Sequence, residues 1–365
     1  MRGVAHDRRA EPAVAVRGGV RGAWRRLQKR PGVIAYLGAS ATFQTEGFRP
    51  RLHARLEQAL PSPRMVNAGV PGTGSMAGLC LMDDLVVRHD PDLCLVELFT
   101  GDAIGNYTPP AMITDAVHGI AEKLLAAGCT PIFVYLTGRD VDDSHMAAIR
   151  DLWEAVARTF RIASIDLGPV QREAATPDTT AVYRDYAHLT APGADLVADA
   201  MFDALVQLSE TAGASERTRA GTAVHSRFAE AYVLPVALDH VREPAAARQR
   251  RYRLVRDYVE IGPDTCFELQ SDDELIGMAV IFGPSGGLIR VTDGESSFEL
   301  DLWDECGYDR FGAVVFPRAC PAGTRVTTEL VGPSPLSPDQ DAPPLLSIFG
   351  FLAIPSAPDP GGLTT

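Results

Sequence analysis

The stretch VIAYLGAS, residues 33–40, decides the fold because an apolar run of strand type ends in Gly38, Ala39 and Ser40. Two further apolar runs, LCLVELF at 93–99 and PIFVYLT at 131–137, have the same character. Near-continuous apolar strands are typical of a parallel sheet that helices cover on both faces. The sequence therefore predicts an α/β domain whose first central strand leads directly into Ser40.

Shorter strands and helical patterns alternate around these runs. Residues 65–69 and 161–167 have strand character, and helical periodicity is found over 51–60, 75–89, 110–127, 144–159 and 191–208. Strand and helix in alternation predict a doubly wound α/β fold. In such folds ligands bind beyond the carboxyl ends of the strands, which is where the motifs described below are located.

The character of the chain changes after residue 210. Residues 211–225 lose periodicity and are predicted to be a linker. Short strand candidates separated by Gly, Pro and Asp turns then follow, at 253–261, 265–269, 275–282, 288–292, 297–303, 313–316, 325–331 and 345–354. This spacing predicts an all-β sandwich, jelly-roll-like, over residues 226–355, followed by a frayed tail at 356–365.

Residues 1–30 are strongly basic. They carry eight arginines and Lys29 against Asp7 and Glu11, a local net charge of +7. Arginines interrupt every apolar stretch there, so the pattern of a secretory signal peptide is not met. These features predict a basic, disordered N-terminal arm and a cytoplasmic location.

Composition excludes several classes of protein. The 365 residues contain 34 Lys and Arg against 47 Asp and Glu, a net charge of −13, which argues against nucleic acid as the main partner. The sequence contains no run of about 18 apolar residues, so it predicts no transmembrane helix. The six cysteines form no CxxC pair, so no metal site and no cofactor are predicted.

The motifs that carry chemistry are Gly38-Ala39-Ser40 after the first strand and Asp185-x-x-His188 before the last helix. A serine hydroxyl becomes a good nucleophile when a histidine removes its proton, and a carboxylate orients that histidine. Asp185 and His188 lie three residues apart and can meet within one turn, while Ser40 arrives from the first strand. The glycine-rich loop after residue 69, including Gly72, can bring backbone N–H groups close to a substrate.

Four blocks in this order resemble the SGNH (GDSL-type) hydrolases: YLGAS from residue 36, VNAGVPGTGS from 66, LVELFTGD from 95 and DYAHLTAPG from 185. The resemblance covers roughly residues 31–210. It implies a flavodoxin-like three-layer α/β/α domain with a Ser40–His188–Asp185 triad. It also implies that the backbone N–H groups of Ser40 and Gly72 hold the oxyanion.

Two positions depart from the family's pattern. Ala39 stands where the family has aspartate, and Gly101 precedes Asp102 where the family has an asparagine that donates to the oxyanion. Loss of one such donor typically lowers the rate by about 10²–10³. A backbone N–H near Gly101, or the side chain of Asn106, is a candidate replacement, and Asp102 is expected to anchor its loop by hydrogen bonds.

Other motifs have weaker readings. Gly72-x-Gly74-x-x-x-Gly78, with Glu97 after it, has some likeness to a dinucleotide loop, although it follows the second strand. The Gly283–Ser285 segment, between two strand candidates, is predicted to be a hairpin turn. Aromatic residues in the second domain either fill its core or bind a glycan; they are Trp303, Tyr308, Phe311 and Phe316.

Together these features predict a serine-dependent esterase acting on an acylated carbohydrate or small polar ester. Two alternatives stay open: an O-acyltransferase that uses the same triad, and a non-catalytic glycan-binding protein with a degenerate site. The expected partner is a small-molecule or glycan ester, and oligomeric state is not predicted.

Overall fold

The computed structural model of the protein describes residues 14–105, 108–139, 141–211, 227–242, 247–252, 256–263, 265–304, 310–339, 341 and 343–356. The helices are α1 (Arg21–Lys29), α2 (Ser40–Phe43), α3 (Phe48–Ala59), α4 (Ser75–Leu85), α5 (Phe99–Ala103), α6 (Pro110–Ala126), α7 (Asp143–Phe160), α8 (Gly168–Ala174) and α9 (Ala191–Ser209). The first strands are β1 (Ala15–Arg17), β2 (Val33–Gly38), β3 (Arg64–Gly69), β4 (Leu93–Glu97), β5 (Thr130–Tyr135) and β6 (Ala163–Asp166).

These six strands form one sheet in the order β1-β6-β5-β4-β2-β3. Strands β2 to β6 are parallel, and β1 adds to the edge antiparallel to β6. The parallel strands follow the flavodoxin-like order, in which the first strand lies between the second and the third. Because Gly38 is in register with both Gly69 and Glu97, three strands end together beside Ser40.

Helices cover this sheet on two faces. Helices α1, α3, α8 and α9 pack over one face, and their apolar side chains join those of the strands in one buried core. On the other face, the Trp153 ring of α7 contacts Phe133 and Tyr135 edge-on. The predicted three-layer α/β/α domain is confirmed.

The prediction of a disordered arm is wrong for residues 14–30. Strand β1 pairs with β6, and α1 buries Trp24 and Leu27, which are 6% and 1% exposed. Arg17 of β1 also forms a 2.8 Å ion pair with the buried Glu154 of α7. A count of charges does not show that α1 is amphipathic. Its arginines lie on one face of the helix and its apolar residues on the other. Residues 1–13 lie outside the described part of the chain.

Trp24→Ala should lower the free energy of unfolding by about 3–5 kcal/mol, because it leaves a large cavity between α1 and the sheet. Urea denaturation followed by circular dichroism measures this change. The neighbouring Arg25 is exposed, so Arg25→Ala is the matched control, with an expected change within about 0.5 kcal/mol. Equal stability of the two variants would show that α1 is not part of the folded domain.

The C-terminal strands are β7 (Tyr232–Pro235), β8 (Arg248–Tyr252), β9 (Arg256–Ile261), β10 (Cys266–Gln270), β11 (Glu274–Phe282), β12 (Gly287–Thr292), β13 (Ser297–Asp301), β14 (Arg310–Cys320), β15 (Arg325–Pro333) and β16 (Leu346–Ile354). They form two antiparallel sheets, β10-β15-β12-β13 and β14-β11-β16-β9-β8, and β7 pairs with β16. Apolar side chains of both sheets share one core. The β-sandwich prediction is confirmed.

The structure bears on two predictions in the sandwich, the turn at Gly283–Ser285 and the location of the aromatic residues. Gly286 N–H donates to the Gly283 carbonyl, so a turn is present, but β11 and β12 belong to different sheets and the hairpin prediction is wrong. Phe311 and Phe316 are buried in the sandwich core, whereas Trp303 is half-buried. Tyr308 lies outside the described residues.

Contacts group the described residues into two compact units. One draws on Met1–Val70, His89–Asn106 and Leu124–Ala223, and the other on Pro71–Arg88, Tyr107–Lys123 and Val224–Thr365. Helices α4 and α6 are thus grouped with the sandwich, since α4 packs against β7 and β14. The sequence instead predicts one continuous range for each domain, 31–210 and 226–355. These two ranges stay a prediction.

The predicted linker and tail fall mostly outside the described residues, which include only Thr211 of the first and Ser356 of the second. No helix within the described ranges is both long and apolar enough to cross a membrane.

Candidate active site

Ser40 is the first residue of α2 and follows β2 immediately after Ala39. The short helix closes through a 3.0 Å hydrogen bond from Phe43 N–H to the Ala39 carbonyl. Ser40 is half-buried. The strand thus delivers the serine to the carboxyl edge of the sheet, where the sequence places it.

Asp185 and His188 lie in a tight loop ahead of α9. Arg184 N–H donates to the His188 carbonyl at 2.8 Å, and Thr190 N–H donates to the Val182 carbonyl at 2.9 Å. At the base of the loop, the Thr190 hydroxyl caps α9 by accepting from Gly193 N–H at 3.1 Å. These backbone bonds hold the two side chains in one fixed turn.

The structure brings Ser40, His188 and Asp185 into a continuous hydrogen-bonded chain. His188 Nε2 lies 2.8 Å from Ser40 Oγ, across 148 residues of sequence. His188 Nδ1 lies 2.8 Å and 2.9 Å from the two Asp185 carboxylate oxygens. This geometry can take a proton from the serine hydroxyl and stabilise the imidazolium that results.

The Asp185 carboxylate is held ionised. Its partial burial opposes ionisation, but hydrogen bonds from Ala187 N–H at 3.0 Å, from His188 N–H at 2.8 Å and from the His188 ring outweigh this. The pKa of Asp185 is therefore lower than its ordinary value. An ionised Asp185 accepts the Nδ1 proton and leaves Nε2 free to act as a base toward Ser40.

For the three residues besides Ser40 that are predicted to hold the oxyanion, the structure gives backbone positions for Gly72 and Gly101 only. Gly72 adopts a left-handed backbone conformation, φ 73°, which favours glycine and fits its place in a turn. Gly101 lies within α5, and Asn106 lies outside the described residues. Their roles in holding an oxyanion stay predictions.

Asp102 makes the kind of anchoring contact expected of it. Its carboxylate accepts a 3.1 Å hydrogen bond from the buried Trp153 indole, which ties α5 to α7. Only 1% of Asp102 is exposed. A second acid function in catalysis is not indicated for this residue.

Sequence reasoning missed a buried polar group beneath the serine turn. The Glu97 carboxylate, at the end of β4, accepts from the Thr42 hydroxyl at 2.8 Å and also binds the Thr100 hydroxyl. The signal was a single carboxylate that ends the otherwise apolar strand LCLVE. These contacts engage the Glu97 carboxylate within the protein, which argues against the dinucleotide-loop interpretation of this segment.

No group of three or more His, Cys, Asp and Glu side chains in the described ranges is arranged to hold a metal ion.

The sequence of the chain matches one protein family but no curated protein. Residues 34–196 match the sequence profile of the GDSL-like lipase/acylhydrolase family. Among curated proteins no sequence matches the chain.

Among solved structures, a two-domain esterase (CEX) active on acetylated mannans, co-crystallized with mannopentaose, is similar in fold. The TM-score is 0.71 at 14% identity, over 95% of this chain and 99% of that chain. A second structure of a two-domain esterase (CEX) active on acetylated mannans has a TM-score of 0.68 at 14% identity, over 92% and 96% of the two chains. The likeness therefore extends over both the α/β domain and the sandwich.

Proposed function

We propose that the protein is a serine-dependent esterase acting on an acylated carbohydrate or small polar ester, and the match of residues 34–196 to the GDSL-like lipase/acylhydrolase family supports this proposal. The observation that carries the proposal is the hydrogen-bonded chain from Ser40 Oγ through His188 to Asp185. A site used only for binding has no chemical need for these three groups in this order.

In the first half of the reaction, Ser40 Oγ attacks the acyl carbonyl carbon while His188 Nε2 takes the hydroxyl proton. The carbonyl oxygen becomes an oxyanion, for which the backbone N–H groups of Ser40 and Gly72 are the candidate donors. The tetrahedral intermediate collapses, His188 gives its proton to the departing alcohol oxygen, and the acyl group stays on Ser40. Asp185 keeps the imidazole in the required tautomer throughout.

In the second half, water attacks the acyl-serine with His188 again as the base. The tetrahedral species releases the carboxylic acid and returns the proton to Ser40 Oγ. A sugar hydroxyl in place of water would give acyl transfer by the same steps. Product analysis distinguishes the two, because hydrolysis releases free acid and transfer forms a new ester.

Exposed aromatic side chains beside the triad support a carbohydrate substrate. Phe43, three residues after Ser40, is 36% exposed, and Tyr186, between Asp185 and His188, is 46% exposed. Exposed rings can stack on the apolar faces of sugars. The similar two-domain esterase acts on acetylated mannans, which makes an acetylated glycan the first substrate to test here.

The test is release of acetate from acetylated manno-oligosaccharides by the full chain, with 4-nitrophenyl acetate as a small reference ester. The proposal expects acetate release that depends on Ser40 and a deacetylated sugar detected by mass spectrometry. Sugar-to-sugar transfer without acetate release would favour the O-acyltransferase. Glycan binding without turnover of any ester would favour the non-catalytic alternative.

Tyr186→Ala should raise KM for an acetylated oligosaccharide about tenfold, because it removes a stacking ring. The kcat/KM for 4-nitrophenyl acetate, which has no sugar to stack, should change less than about threefold. Tyr186→Phe keeps the ring and is the matched control, with both values close to wild type. Parallel losses on the two substrates would instead indicate damage to the adjacent triad.

A further inference from the structure

Glu97 lies beneath the serine turn and is 1% exposed. Its carboxylate accepts from the Thr42 hydroxyl at 2.8 Å and from the Thr100 hydroxyl. The backbone N–H groups of Ala39 and Thr42, on either side of Ser40, also lower the pKa of Glu97 and so favour its ionised form. We propose that Glu97 is a positioning residue, which in its ionised form holds the turn that presents Ser40 to His188. This inference rests on the proposed function.

Gly38 gives the carboxylate room to reach this turn. A Cβ atom at residue 38 would lie 2.8 Å from Glu97 Oε2 and 2.2 Å from Thr42 Oγ1. Any side chain at that position would therefore displace the Thr42–Glu97 hydrogen bond. The glycine of the YLGAS motif thus has a second use besides allowing a sharp turn.

The donors around Glu97 fit a carboxylate better than a carboxylic acid. The Thr42 hydroxyl donates to one carboxylate oxygen of Glu97 and the Thr100 hydroxyl donates to the other. An ionised carboxylate accepts from both hydroxyls, whereas the protonated acid carries a proton on one of these oxygens that competes with the hydroxyl donated there. Protonation of Glu97 therefore removes or weakens at least one bond to the turn.

The opposite end of α2 is held by a buried cation. Arg49, 3% exposed, donates from Nε to the Thr42 carbonyl at 2.8 Å and from Nη2 to the Gln44 carbonyl at 3.4 Å. Glu97 thus binds the Thr42 hydroxyl of the short helix, and Arg49 binds carbonyls at its end. A four-residue helix has little stability of its own, so these contacts determine where Ser40 lies.

Titratable and charged side chains on the surrounding elements are engaged with other groups. Arg49 binds carbonyl oxygens, Tyr36 and His53 bind one another, Tyr135 lies near Glu154, Asp102 binds Trp153, and His188 binds Asp185 and Ser40. Desolvation raises the pKa of Glu97, hydrogen bonding opposes this rise, and no neighbouring charge contributes to the shift.

Burial raises the pKa of Glu97 from 4.5 to about 7, although its hydrogen bonds lower it. Because the folded pKa is raised, the stability linked to Glu97 is fully present below pH 4.5 and is lost as the pH rises through about 7. Activity has the opposite requirement, since the turn needs the ionised carboxylate. Activity should therefore fall as the pH drops through about 7, because Glu97 takes up a proton there.

The test is the rate at which a fluorophosphonate labels Ser40 between pH 5 and pH 9, followed by intact-protein mass spectrometry. In wild type, the rate should fall as the pH drops through about 7, and Glu97 should contribute one proton to this fall. Glu97→Gln should label about 100-fold more slowly at pH 8, because a displaced serine reacts poorly. The fall in its rate in acid should involve one proton fewer than the fall in wild type.

A second variant and a matched control make the test specific. Thr100→Val removes one donor to the ionised carboxylate, so the acid limb should move to higher pH by about one unit. Glu154→Gln changes another buried glutamate, 6% exposed, which pairs with Arg17. The Glu154→Gln variant should have the same pH profile of labelling as wild type.

The outcomes separate this inference from the proposed function. A wild type that is not labelled at Ser40 would overturn the proposed function and this inference with it. A labelled wild type whose rate and profile are matched by Glu97→Gln would overturn this inference alone. If Glu97→Gln does not fold, Thr100→Val tests the inference instead. A labelling rate that falls at the same pH in Thr100→Val as in wild type would then overturn the inference.

Discussion

Ser40→Ala should lower kcat for ester hydrolysis by about 10⁶-fold, the loss expected when the nucleophile of a serine triad is removed. Without Oγ no acyl-enzyme can form, and any remaining turnover comes from binding and oxyanion contacts alone. Initial rates with 4-nitrophenyl acetate measure the loss, and fluorophosphonate labelling reports the same atom. Wild type should gain one adduct and the variant none.

The matched control is Ser144→Ala. Ser144 is an exposed serine at the start of α7, where its hydroxyl binds Asp142, so activity and labelling should stay at wild-type levels. Ser40→Ala is close to isosteric and should fold normally. Activity within tenfold of wild type in Ser40→Ala would remove Ser40 from the mechanism and, with it, the esterase proposal in this form.

Asp185→Asn should lower kcat by about 10⁴-fold while leaving the structure of the loop intact. The amide group presents an N–H₂ donor to His188 Nδ1, so the imidazole moves its proton to Nε2. That proton then faces Ser40 Oγ, and His188 can no longer act as a base. The variant should also lose the charge that stabilises the imidazolium in the transition state.

Asp178→Asn is the control for Asp185→Asn. Asp178 also accepts from a backbone N–H, that of Thr180 at 2.9 Å, and hydrogen bonds from Thr180 likewise lower its pKa. It lies outside the triad, so its variant should keep near-wild-type activity at pH 8. Equal activity of the two variants would mean that the 2.8 Å contact between Asp185 and His188 does not serve catalysis.

The two departures from the family pattern have different structural settings. Ala39 stands in place of aspartate, and its backbone N–H lowers the pKa of Glu97, while the Thr42 hydroxyl binds the Glu97 carboxylate. Gly101 lies inside α5, and the Asp102 that follows it is bound to Trp153. The turn around Ser40 is thus held from β4 rather than by a side chain at residue 39.

Much of the fold could be predicted because its signals are local. A strand buried on both faces must be apolar at nearly every position, so β2, β4 and β5 stand out in the sequence. Strand β1 did not, because three residues carry too little periodicity. Helix α1 was hidden by its arginines, which lie beside the apolar stripe of Ala23, Trp24 and Leu27.

The sequence by itself determined the order of elements, the motif blocks and the residue types of the site, since each depends on neighbours within a few positions. Only the tertiary structure decided that Ser40 Oγ lies 2.8 Å from a ring 148 residues away. It also decided that Glu97 is buried under the same turn. Distances across the chain, and the desolvation that raises the pKa of a carboxyl, depend on what the folded chain brings around an atom. Residue spacing alone carries no record of that environment.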